Sequence, residues 1–226
     1  MSPLAPWLQT QLQSLVERSG HAFLLQGPSG LGQYELGLAL AAAWLCQQPT
    51  PHGACGTCPS CHGIAVRAHS DLTVLMPETV MLELGWPLSE KAQKDIDEKN
   101  RKPSREIRVE SMRQLLGFTQ TTGGTDAGKV VLISPAERMN TITANTLLKT
   151  LEEPPGDTRF LLVSEAAHLL LPTLRSRCQT HTLPWPDAAP ALQWLASQGV
   201  APADAQVLLD AAGGRPEDAW AMAQSG

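Results

Sequence analysis

Apolar positions along this chain follow two periods, and their alternation organises it. In WLQTQLQSLVER (7–18) apolar side chains recur three and four apart, the spacing of an amphipathic helix. HAFLLQ (21–26) is a short apolar run that predicts a buried strand. GPSGLGQ (27–33) is a glycine-rich turn, and YELGLALAAAWLC (34–46) predicts the helix that follows it. DLTVLMP (71–77), the β-branched KVVLIS (129–134) and TRFLLVSE (158–165) predict three further strands. IRVESMRQLLGFTQTT (107–122) runs from a strand end into a helix, and MNTITANTLLKTLEEPP (139–155) is a helix stopped by Pro154 and Pro155. HLLLPTLRSRCQTHTL (168–183) is a short helical or turn segment leading into a last strand. Strands separated by helices predict an α/β fold, a parallel sheet covered by helices.

Two stretches depart from this alternation. Residues 78–106 pass from an apolar patch, VMLELGW, into EKAQKDIDEKNRKPSRE, where dense charge of mixed sign predicts an exposed loop or insertion. After Pro184 and Pro186 come three short helical patterns, DAAPALQWLASQG, PADAQVLLDAAGG and PEDAWAMAQ. The boundary divides an α/β domain (1–185) from a small all-helical domain (186–226).

Composition narrows the class. Hydrophobic residues make up 42% and charged residues 17%, as in an ordinary globular protein. A formal net charge of -5 argues against a basic, bulk nucleic-acid binder. The start MSPLAPWLQTQLQSL lacks the basic and apolar regions of a signal peptide. No apolar run approaches the ~20 residues that span a bilayer. The expectation is a cytoplasmic protein without a membrane partner.

Candidate chemistry starts with Cys46, Cys55, Cys58 and Cys61, spaced C-x8-C-x2-C-x2-C. Four thiolates this close can enclose a tetrahedral zinc, and an all-thiolate shell leaves no open position, so the metal is structural. His52 and His62 lie near enough in sequence to replace one cysteine. Disulfides are the alternative, less expected in an intracellular chain. Cys178, remote from the cluster, reads as a small buried hydrophobe.

The glycine turn has the frame of a phosphate-binding loop, Gly27-Pro28-Ser29-Gly30-Leu31-Gly32-Gln33-Tyr34, between a strand and a helix. Gln33 stands where a lysine would meet the β/γ-phosphates, and Tyr34 where a Ser or Thr would hold magnesium. After KVVLI, Ser134 and Pro135 occupy positions where acidic residues are expected, followed by Ala136 and Glu137. Three lost roles at one site predict weak or absent ATP binding and no hydrolysis. Two other readings stay open: an active ATPase with an unconventional site, and a zinc-ribbon nucleic-acid binder carried by the α/β part.

LLKTLEEPP (147–155) and LRSRC (174–178), with the cysteine knot and the altered loop, resemble the small AAA+ subunits of bacterial clamp loaders. The resemblance runs from HAFLLQGPSG to GGRPEDA. It implies an AAA+ sheet with an inserted zinc module and a helical lid. It implies a hetero-pentamer with ATPase subunits and a delta subunit, which loads a sliding clamp onto primed DNA as part of the DNA polymerase III holoenzyme. By the same resemblance Arg177, with Ser176 and Cys178 of the SRC motif, supplies an arginine finger to a neighbouring ATPase, and this chain is a non-hydrolysing stator. Active members carry an arginine directly before an Asp-Ala pair. Here Glu217 precedes Asp218-Ala219, and Arg215 comes two residues early. A third, collar domain completes such subunits, and this sequence stops at Gly226 before one is reached.

Overall fold

Four of the five strands form where the apolar runs are densest, and helices pack on both faces of the sheet. The computed structural model describes residues 4–125 and 127–225. In chain order the elements are α1 (Pro6–Val16), β1 (Ala22–Gln26), α2 (Gln33–Leu45), α3 (Pro59–Ala65), β2 (Leu72–Leu75), α4 (Glu78–Glu83), α5 (Glu90–Asp97) and α6 (Val109–Thr119). There follow β3 (Lys129–Ile133), α7 (Thr141–Glu152), β4 (Thr158–Ser164), α8 (Pro172–Arg175), β5 (Gln179–Thr182), α9 (Ala188–Ser197), α10 (Pro202–Ala211) and α11 (Pro216–Ser225).

The sheet is parallel throughout, in the order β2-β3-β4-β1-β5. Leu24 pairs with Leu162 and Leu132 with Leu161. Successive residues point to opposite faces, so each apolar run feeds two cores. Leu25, Leu132, Leu161 and Val163 pack with Leu8 and Leu12 of α1 and Leu36 and Leu40 of α2. Leu24, Val131, Phe160 and Leu162 pack on the other side with Met112 of α6, Leu147 and Leu151 of α7, and Leu174 of α8. Burial on both faces explains why β3 and β4 show no polar alternation. The edge strand β5, QTHT, is mostly exposed and polar, which protects an open sheet edge from pairing with another chain.

Residues 78–106 contain helices where their charge predicts an exposed loop or insertion, although the charged helix within them buries no residue. They hold α4 and α5, and Trp86 between them is buried. Ser89 caps α5 by accepting from the Ala92 N–H at 3.3 Å. Arg101 forks onto buried Glu78 and also faces Asp95 at 3.5 Å, while the Ser104 N–H donates to Glu78 at 2.8 Å. Burial pushes the Glu78 carboxyl up, but these donors outweigh it and hold the carboxyl below its ordinary range. The charges that look solvated in sequence are partly spent on one another.

Helices α9–α11 share an apolar cluster of their own, with Ala191, Leu195, Ala205, Leu209 and Ala219. Trp194 of α9 meets Trp7 of α1 edge-on at 5.3 Å between ring centroids, and this contact joins the helical tail to the sheet's first helix. Among the described residues no helix is long and apolar enough to cross a membrane.

Candidate functional site

The four cysteines converge because two helix ends bring them together. Cys46 caps the C-terminus of α2, Cys58 is the N-cap of α3, and Cys61 lies on α3's first turn. Pro59 at the first helical position fixes where α3 begins. The Sγ atoms of Cys58 and Cys61 are 3.5 Å apart, those of Cys46 and Cys61 3.7 Å, of Cys46 and Cys58 3.8 Å, and of Cys55 and Cys61 4.0 Å. A tetrahedron with Zn–S bonds of ~2.3 Å requires sulfurs about 3.8 Å apart, and all four sulfurs lie within 4.8 Å of one another, so the cluster is close to a zinc site. The N–H groups of Cys55 and Gln48 donate to Cys46 Sγ, the outer-shell support thiolates require. Backbone and hydroxyl donation from Thr57 pulls Cys55 down to about 6, whereas burial pushes Cys61 up to about 12. A cation held among them would allow the buried thiols to ionise together.

Neither histidine belongs to this cluster. His52 is turned toward α1, where Gln13 Nε2 lies 2.7 Å from its Nδ1 and Gln9 donates to its carbonyl at 2.7 Å. The knot is thereby docked on α1. Cys178 lies with Leu147, Leu151 and Leu174 in the second core, and burial alone pushes its thiol up to about 12.

The glycine loop connects β1 to α2, with Gly32 in the left-handed conformation as the helix N-cap. Its carbonyls are taken up by the protein itself. Buried Gln33 donates Nε2 to Gly27 O at 2.7 Å and also to Pro28 O. Trp7 Nε1 donates to Leu31 O at 3.0 Å, and the Glu217 N–H to Gly30 O at 3.3 Å. Gln33 therefore ties the loop to itself where a lysine would reach outward. Tyr34 is equally occupied, since its hydroxyl accepts from Trp86 Nε1 at 2.7 Å. Burial raises the Tyr34 pKa further above its ordinary value.

The first turn of α11 stands on the same loop. A Cβ on Gly30 would lie 2.6 Å from the Asp218 carboxylate, and one on Gly32 2.7 Å from Glu217 Oε1. Both glycines are needed for this approach as well as for their positive φ of 79° and 87°. The surroundings are acidic. Burial raises Glu35 and Glu165, and neighbouring carboxylates raise Glu165 further. Burial, Glu35, Asp218 and Glu165 together push Glu217 up to about 8. Arg215 faces Asp218 at 2.7 Å instead of a phosphate. Beyond the loop an open cleft of about 440 Å³ is lined by Pro28, Ser29, Glu137, Arg138, Glu165 and Arg215, among others. Ser134 and Pro135 bring no carboxylate to it, and Glu137 accepts from the Glu165 N–H at 3.1 Å.

This electrostatics predicts a pH dependence. Glu217 keeps its proton in the folded chain while the unfolded chain loses it near pH 4, so the folded state binds more protons between about pH 4 and 8. Stability falls across that window as pH rises. Glu217→Gln is expected to raise the melting temperature at pH 8 and leave it unchanged near pH 4. Equal melting-temperature shifts at both pH values would show that the carboxyl is not strained.

Arg177 is not among the residues lining the cleft. It follows α8 and is one-third exposed. Its Nε donates to Glu152 Oε1 at 2.6 Å, its Nη2 to the same oxygen, and its Nη1 to Thr173 O at 2.7 Å. Ser176 Oγ donates to Thr173 O at 3.1 Å and closes the turn. In SRC the serine caps, the cysteine points into the core and the arginine points out. The sequence motifs mark Arg177 but not its partners: only three-dimensional contact shows that LEEPP and SRC meet, or that Trp86, Glu217 and Asp218 attend the glycine loop.

Comparison with known proteins agrees with these motifs. Residues 4–187 match the family described as DNA polymerase III, delta subunit. The chain is 41% identical over 220 residues to the DNA polymerase III subunit delta' of Pseudomonas aeruginosa, covering 96% of this chain and 60% of that protein. It is 35% identical over 225 residues to the Escherichia coli K12 subunit delta', covering 97% and 60%. It thus spans about three-fifths of the length of these relatives. Among solved structures, the fold is similar to that of RuvB from Thermotoga maritima, a Holliday junction branch migration motor, with a TM-score of 0.54, 18% identity and coverage of 96% and 59%. It is also similar to a gamma subunit-related protein of DNA polymerase III from the same organism, with a TM-score of 0.51, 21% identity and coverage of 82% and 48%. The sheet and its helical tail share their fold with these solved structures, and the chain belongs to the DNA polymerase III delta' family.

Proposed function

We propose that this chain is a non-hydrolysing clamp-loader subunit that supplies Arg177 to the active site of a neighbouring ATPase. The observation that carries the proposal is the self-closed glycine loop. Gln33 and Glu217 take up its carbonyls, two carboxylates stand over Gly30 and Gly32, and no acidic residue follows β3 at Ser134 or Pro135. A phosphate entering there would meet the protonated carboxyl of Glu217 and the Asp218 carboxylate instead of a lysine, and the N–H groups at the start of α2 lack the positive side chain that normally supports them.

In this reading the residues 1–185 form the AAA+ domain, 186–226 the helical lid, and Cys46, Cys55, Cys58 and Cys61 hold a structural zinc that ties the knot to α2. The partners are the ATPase subunits and the delta subunit of a hetero-pentamer in the cytoplasm, with the sliding clamp and primed DNA engaged through the assembly. The guanidinium of Arg177 would stabilise negative charge on the transferring phosphoryl group.

The test is ATP binding and turnover by the chain alone, beside an active P-loop ATPase. The expected result is no turnover and weak or absent binding. Gln33→Lys is expected to leave turnover at background, because it restores one of three lost roles and leaves the carboxylates in place. Magnesium-dependent turnover abolished by substituting Gly32 would make the chain an active ATPase.

A further inference from the structure

We propose that Glu152 is the positioning residue for Arg177, and that the LEEPP turn exists in this chain to place it. The proposal rests on the finger reading given above. The local sequence fixes Glu152 closely. Pro154 disfavours helical geometry at the residue before it, and the helix accordingly ends at Glu152, with Glu153 already at φ -130° and ψ 76°. His21 lies 2.9 Å from Leu151 O and satisfies a carbonyl of the last turn. Leu151, next in sequence, is fully buried in the core that also holds Leu174 of α8. The carboxylate is thus carried on an anchored helix end, and Arg177 on a short turn packed beside it.

The contact geometry separates positioning from mere surface pairing. A surface ion pair between long, free side chains contributes little. Here both Nε and Nη2 converge on one Glu152 oxygen, and Nη1 is held by Thr173 O. Three of the five guanidinium N–H groups are engaged. The remaining two, one on each terminal nitrogen, have no partner among the described residues. Held by three hydrogen bonds, the guanidinium presents a planar fork in one orientation, the property that makes arginine effective on phosphoryl oxygens. Without the carboxylate, the side chain regains its rotamers and the catalytic geometry must be re-found in each turnover.

The experiment is DNA-stimulated ATP hydrolysis by the assembled loader containing full-length Arg177→Ala, Glu152→Ala, Glu152→Gln, Glu152→Asp or the Arg177→Ala/Glu152→Ala double variant, with kcat and KM for ATP measured separately. Glu152→Ala is expected to lower kcat at the affected site by on the order of ten- to a hundredfold with KM little changed, since a misplaced catalytic group acts on the transition state. Glu152→Asp and Glu152→Gln are expected to recover part of it. The double variant should be no slower than Arg177→Ala, because the glutamate acts only through the arginine. If Arg177→Ala is slow and Glu152→Ala is as fast as wild type, the positioning role is wrong and the finger stands. Multiplying effects in the double variant would also overturn it. If Arg177→Ala itself changes nothing, both readings fail. Glu152 is half exposed, and assembly of each variant, followed by gel filtration, separates a kinetic loss from failure to fold.

Discussion

In an assembled clamp loader, Arg177→Ala is expected to abolish most hydrolysis at the one ATP site that this chain abuts. Arginine fingers contribute about 10³–10⁵ in kcat, so turnover at that site should fall by on the order of a thousandfold, while sites elsewhere in the ring keep theirs. The chain's own stability should barely change, because Arg177 is partly exposed and, among the described residues, its ion pair is with half-exposed Glu152. Arg177→Lys sharpens the test. Lysine keeps the charge but loses the planar fork and the three-point hold on Glu152 and Thr173, and it should recover little of the rate. Single-turnover hydrolysis on primed DNA resolves the affected site from the others. Wild-type rates in Arg177→Ala would remove the finger role, whatever the family resemblance.

That prediction came within reach of the sequence because SRC and LEEPP are linear motifs, whereas their meeting is not linear. The β-strands were equally legible: Val130 to Ile133 and Phe160 to Val163 are buried on both faces, and a strand in such a position shows an unbroken apolar run. The cysteine knot was legible because two of its ligands fall on one helical turn. What sequence could not show depends on contacts between remote residues. Nothing near Tyr34 announces Trp86, 52 residues away, as the donor to its hydroxyl. Nothing near Glu78 announces Arg101, so the charge between 78 and 106 looked like solvent exposure when part of it is an ordered ion-pair network. The glycine loop shows the same limit more sharply. Its altered residues were visible, and they imply a missing lysine. Only the fold shows that Gln33 fastens the loop to itself and that α11 brings carboxylates onto it. The side chains at the phosphate-ligand positions instead fasten the loop and its neighbouring elements together, Gln33 through the loop carbonyls and Tyr34 through Trp86.

Metal removal should produce the largest effect on stability. Protein purified without added zinc is expected to carry one zinc per chain, and substoichiometric metal in well-folded protein would refute the site. Four of the six sulfur–sulfur separations already stand at 3.5–4.0 Å, close to what a tetrahedral ion requires, and among the described residues Ala54 is the one non-cysteine hydrophobic side chain grouped with their cluster. Ile64 anchors α3 in the first core, but the loop that carries Cys55 has little apolar support of its own and is expected to depend on the metal for order. Binding to the folded state alone stabilises by about 4 kcal/mol when free zinc stands a thousandfold above its Kd. For a chain of this size that corresponds to a melting-temperature shift on the order of 10 °C. Chelation should reproduce the shift, and Cys58→Ser should reproduce it without chelator. The consequences should spread along one direction. His52 rides on the knot and is grasped by Gln9 and Gln13 of α1, and Trp7 of α1 in turn holds the glycine loop through Leu31 O and meets Trp194 of α9. Hydrogen exchange in the metal-free protein should therefore quicken first at 46–65, then in α1, and last in the central strands β3 and β4. Acid should act as chelator does, since zinc is released as thiolates take up protons and affinity falls as pH falls. A knot that stays protected after complete metal loss would show that the cysteines are held by the fold and not the fold by the metal.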